Sequence, residues 1–155
     1  MLDQKVPTTY LEADSILAEI RTNANSLSIW KASNDTDIND VILAFACNLD
    51  SFSRITVIAV DDALLDGLDI NPSEGDTPAG SINELHCDVN DLNYDKLSIL
   101  IKAINISIMN DRVISKSKSQ VRDLLIEAVK LGRIKLCDVS NELSNKILCY
   151  KDKNK

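Results

Sequence analysis

Four carboxylates crowd behind an apolar run. Asp61, Asp62, Asp66 and Asp69 follow Ile55-Thr56-Val57-Ile58-Ala59-Val60, and the carboxyl end of a strand is where open α/β sheets hold ligands. Aligned there, such carboxylates can bind Mg²⁺ for phosphoryl chemistry, which defines a Mg-dependent hydrolase as one alternative reading. The sequence lacks the other parts of that machinery. It has no glycine-rich phosphate loop, and the ordinary role of Asp61 or Asp62 is to cap the short helix that follows.

His86 is the single histidine, with Cys87 and Asp88 beside it. Neighbours on a strand point to opposite faces, so His86 and Cys87 are badly placed to act as a nucleophile and base pair. A structural histidine is the expected role. The stretch Gly75-Asp76-Thr77-Pro78-Ala79-Gly80 has the composition of a phosphate loop but neither known spacing, and its carboxylate would repel phosphate. Cys47, Cys87, Cys137 and Cys149 show no zinc-type spacing and sit among aliphatic neighbours, which points to buried free thiols.

Ala128, Gly132, Ile134 and Val139 partly match a helix-turn-helix pattern in a basic region, giving a second alternative, a DNA-binding regulator using Arg122, Lys130, Arg133 and Lys135. The link from Gly132 to Cys137 is longer than the usual turn, and the helix expected after it is only weakly basic. Nucleic acid is therefore not the expected partner.

Charge is distributed unevenly along the chain. Residues 35–95 carry fourteen carboxylates and one base, Arg54, whereas residues 112–155 carry eleven Lys and Arg against five acids. The whole chain has a formal charge of −7, which disfavours nonspecific binding to nucleic acid or anionic lipid and favours cations or a basic protein surface. No apolar run approaches the ~18 residues of a membrane span, and the opening residues lack the layout of a secretory signal. A soluble, cytoplasmic protein is expected.

The elements that position these residues follow from periodicity. A helix is expected over 9–24, from the capping-box spacing of Thr9 and Glu12 and the stripe Ala13, Ile16, Leu17, Ile20. A short strand over 27–32 comes next. Asn34, Asp35, Thr36 and Asp37 then cap a helix to about Asn48, whose acidic first turn suits the helix dipole. The run 55–60 reads as a strand covered on both faces and paired in parallel with 27–32. A short helix over 62–68 and an exposed proline- and glycine-containing loop over 71–81 follow.

Beyond the loop, a short strand is expected near 84–89. A helix over 94–109, with the apolar face Leu97, Leu100, Ile101, Ile104 and Ile108, is expected to be the central core helix. An extended piece near 112–115, a helix over 118–131 stopped by Gly132, a last helix over 139–149 and a frayed tail over 151–155 complete the chain.

The expected fold is α+β: a helix-rich single domain, 1–155, of about five to six helices packed on a small sheet that includes a central strand near 54–60. The expected function is non-enzymatic: an acidic binding protein of immunity or inhibitor type that neutralises a basic partner, such as a nuclease toxin, by covering its active site. No cofactor, metal or membrane is expected. The carboxylates expected to meet the partner's Lys and Arg are Asp35, Asp37, Asp40, Asp61, Asp62, Asp66, Glu74 and Asp76.

Overall fold

The structure, a computed structural model, describes residues 20, 22–49, 51–139 and 144. Among them are three α-helices, α1 (Asp35–Asn48), α2 (Tyr94–Met109) and α3 (Lys118–Lys130), and five strands. The strands are β1 (Leu27–Trp30), β2 (Arg54–Ile58), β3 (Asp69–Pro72), β4 (His86–Asn90) and β5 (Val113–Ser117). They form a three-stranded sheet in the order β1-β4-β3 and a two-stranded sheet of β2 and β5.

The architecture is α+β, but the expectation of five to six helices on one small sheet is overturned: the described residues hold three α-helices and two small sheets. The helix expected over 9–24 lies outside the described residues except at its end, where Asn23 to Ser26 form a tight turn instead. Ala24 and Asn25 both take positive φ there, 49° and 60°, the signature of a two-residue hairpin turn. The helix expected over 139–149 also lies outside, apart from Val139, which is not helical, and Ser144, which is, as does the expected tail over 151–155. The helix expected over 62–68 shrinks to one 3₁₀ turn, Asp62–Leu64, because Gly67 turns the chain at φ 87° before a second turn can form.

The expected parallel pairing of β1 with β2 is also wrong. Ala59 N–H donates to Arg112 O at 3.0 Å and Lys118 N–H to Ser53 O at 3.0 Å, so β2 runs antiparallel to β5. Thr56 is exposed and Ile58 is 38% exposed, so β2 is not covered on both faces. A continuous β-branched run specifies extended backbone, whereas its partner and its cover are decided by distant segments. β1 pairs with β4, again antiparallel: Ser26 Oγ bonds Asn90 Oδ1 at 3.3 Å, Ser28 Oγ bonds Asp88 Oδ1 at 3.0 Å, and Lys31 N–H donates to Leu85 O at 2.7 Å.

Contacts gather the described residues into two compact units. One contains the described residues up to Ser28, with Ile58–Asn71 and Asp88–Ile114. Its helix α2 is capped by Asn93, whose side chain accepts from Lys96 N–H at 2.9 Å, and packs against the turn Asp62–Leu64. Only Leu100, Ala103 and Ser107 of α2 are fully buried, so the expected central core helix is a partly covered one. Four of its five expected face residues, Leu97, Ile101, Ile104 and Ile108, are only half-buried.

The other unit contains Ile29–Val57, Pro72–Cys87 and the described residues from Ser115 onward. Here α1 packs against α3 and against the 3₁₀ helix Gly80–Leu85. Val41, Ile42, Leu43 and Ala44 of α1 meet a core that includes Ile82, Val121, Leu125 and Ile126, all buried. α3 begins with a full capping box, Ser117 and Gln120, and ends where Gly132 at φ 71° lets Arg133 N–H reach back to Ala128 O at 2.9 Å. Within the described residues no helix is long and apolar enough to cross a membrane.

Candidate functional site

On α1 the expected contact residues divide by task. Asn34 caps the helix, its Oδ1 accepting from Thr36 N–H at 2.8 Å and Asp37 N–H at 3.1 Å. Asp37 closes the cap from the other side by accepting from Ser33 N–H at 2.7 Å and from the Asn34 amide at 3.2 Å. Asp40 is spoken for by an ion pair with Arg133, which the Gly132 turn delivers to it. Asp35 alone of the three is exposed with no side-chain bond to a described residue.

In the other unit Asp61 accepts from Arg112 at 2.9 Å, both groups being largely exposed. Asp62 and Asp66 are exposed, and neither carboxylate bonds another described residue. A Mg²⁺ centre would need further oxygen ligands around Asp61 and Asp62. Among the described residues no three His, Cys, Asp or Glu stand close enough together to hold a metal ion.

Glu74 and Asp76 lie on a segment pinned at two points. At its base Ser73 N–H donates to His86 O at 3.2 Å, and the Ser73 hydroxyl shares a 2.7 Å hydrogen bond with His86 Nδ1. Further on, Thr77 Oγ1 donates to Asn83 Oδ1 at 2.5 Å while the Asn83 amide donates to Thr77 O at 2.8 Å. Gly75 fits under this clasp because it has no side chain: a Cβ there would lie 2.9 Å from Asn83 Oδ1. The result is an irregular segment that buries Ala79 and leaves Glu74 and Asp76 exposed. Asn71 and Pro72, expected in this loop, close β3, and Gly80 and Ser81 open the 3₁₀ helix.

Sequence reasoning missed one cluster altogether. The antiparallel register of β1 and β4 sets Trp30 opposite His86, and their rings meet edge to face with centroids 5.0 Å apart. Phe45 of α1 also meets Trp30, with ring centroids 5.9 Å apart and the ring planes 57° apart. Trp30 and His86 are half-buried, and Phe45 is 40% exposed although its neighbours Ala44 and Ala46 are fully buried. The chain holds one Trp, one His and two Phe. Their convergence depends on a strand register that the expected pairing of β1 with β2 concealed.

Cys47 and Cys87 are buried, whereas Cys137 is exposed, so burial does not extend to every cysteine. Cys149 lies outside the described residues. His86 and Cys87 do take opposite faces of β4, the thiol buried and the ring half-exposed. Of the bases expected to read DNA, Lys130 and Lys135 are exposed, Arg122 is half-buried and Arg133 is bound to Asp40. Comparison with known proteins finds no family model, no curated protein and no solved structure that matches this chain.

Proposed function

We propose that this chain is a non-enzymatic acidic binding protein, a cytoplasmic inhibitor of immunity type that covers the basic active-site surface of a partner such as a nuclease toxin. One observation carries the reading. Asp35, Asp62, Asp66, Glu74 and Asp76 are exposed and none forms a side-chain bond to another described residue, in a stretch where Arg54 is the only base. Exposed carboxylates left unneutralised create a field that draws a cationic partner in and speeds its association. Asp37, Asp40 and Asp61 contribute to the same field, but their geometry is already committed to a cap and two ion pairs.

The test is to co-express the chain with the product of the adjacent gene and assay nuclease activity. Suppression of a basic nuclease, weakened when the five exposed carboxylates are replaced together by their amides, is the expected outcome. An unchanged inhibition by that amide variant, with its fold confirmed by circular dichroism, would overturn the electrostatic reading. So would a neighbouring product that neither binds the chain nor carries excess positive charge.

A further inference from the structure

The aromatic cluster of Trp30, Phe45 and His86 has the composition of a binding hot spot and not of a core. Large aromatic side chains are usually driven inward, each burying roughly 150–250 Å². Here the single tryptophan is only half-buried and one of two phenylalanines is 40% exposed. Phe45 stands out because the helix positions on either side of it are fully buried. The β1–β4 register and the packing of α1 on Gly80–Leu85 hold the group in place without covering it.

The same unit carries a carboxylate on the residue that follows the hydrogen-bond partner of His86. Ser73 is bonded to His86, and Glu74 is the next residue in sequence, exposed. The clasp between Thr77 and Asn83 fixes the rest of this segment, including exposed Asp76. Aromatic faces attract cations through their quadrupole, and Arg is the cation that also stacks, while a carboxylate nearby takes its guanidinium hydrogen bonds.

We infer that Trp30, Phe45 and His86, with Glu74 beside them, form the docking point for an arginine side chain of the basic partner. This rests on the acidic-binding reading and adds to it a location and a preferred residue. A uniform field would treat Arg and Lys alike, since both carry one charge. A stacked site favours Arg, because only the planar guanidinium gains both the ring contact and a forked bond to a carboxylate.

The probe is an oligo-arginine peptide, titrated into the full chain at low salt, with an oligo-lysine of equal length alongside. Binding is read twice, by anisotropy of a labelled peptide and by the emission of Trp30, the only tryptophan. Oligo-arginine is expected to bind more tightly than oligo-lysine and to change Trp30 emission. Phe45→Ala should weaken it roughly three- to thirty-fold, the range spanned by exposed cation–π contacts and interface hot spots. Phe45→Leu, which keeps the apolar packing of α1, should weaken it as well.

Tyr94→Ala, which removes a ring that is 92% exposed and lies outside the acidic set, should stay within about two-fold of wild type, as expected for a side chain that does not meet the peptide. Peptide that binds with Trp30 emission unchanged and with both Phe45 variants at wild-type affinity would overturn the docking point and leave the acidic reading standing. Absence of any peptide binding at low salt would overturn both.

Discussion

Helices α1 and α2 are buried in the reverse order of their aliphatic content. α2 has Leu97, Ile99, Leu100, Ile101, Ile104, Ile106 and Ile108 in a single helix, yet fully buries only Leu100, Ala103 and Ser107. α1 is shorter and has three aspartates among its first six residues, yet it buries Val41, Ile42, Leu43, Ala44, Ala46 and Cys47. The difference lies in their neighbours. α1 is met by α3 and by Gly80–Leu85, whereas the main element against α2 is the single turn Asp62–Leu64. Apolar residues specify that a helix can be buried, and the number of elements that reach it decides how far it is.

The largest effect should come from truncating the better-covered helix. Leu43 is 2% exposed, so Leu43→Ala is expected to cost about 2–5 kcal/mol in urea unfolding, from lost transfer energy and the cavity left behind. Ile106→Ala on α2, where the side chain is 41% exposed, should change stability by less than about 0.5 kcal/mol. Equal losses at the two sites would break the comparison between the helices.

Next in size is Gly75→Ala, which should cost about 1–3 kcal/mol, because the added methyl must displace Asn83 from its bonds to Thr77. Its signature besides lost stability is faster amide exchange at Ala79, whose N–H is held by Thr77 Oγ1 at 3.3 Å. A stable variant with unchanged exchange would show that the segment does not depend on the clasp.

Asn34→Ala removes the cap of α1 and should cost about 1 kcal/mol by thermal unfolding, since two N–H groups lose their acceptor. The smallest effect is expected at the Arg112–Asp61 pair. Both side chains are more than half exposed, so Asp61→Asn should change stability by no more than about 1 kcal/mol, and less as salt rises. Asp40→Asn should cost more than Asp61→Asn, because the Asp40 side chain is only 13% exposed. The reverse order would mean that burial is not what separates these two ion pairs.

Local features were legible where a few adjacent residues decide them. The span of α2 follows from its periodicity. The Asn34 cluster starts α1, and the stop at Gly132 follows from a glycine that takes positive φ. The acidic stretch is visible by inspection, as is the local employment of Asp37. The fate of Asp40 and Asp61 was not visible, because their arginine partners lie 93 and 51 residues away in sequence.

The sequence by itself determined the limits of α1, α2 and α3, the cap of α1, the alternation of His86 and Cys87, and the excess of acid over base in residues 35–95. Each depends on backbone preference or on formal charge, which are properties of short stretches. Tertiary structure alone decided that β2 pairs with β5, that α1 and not α2 carries the deeper core, and that Trp30, Phe45 and His86 meet. Those outcomes depend on which distant segments share a register or a face, and many pairings satisfy the same local pattern of apolar residues. The acids were therefore readable one by one, but the aromatic group of Trp30, Phe45 and His86 appeared only when β1 was set against β4.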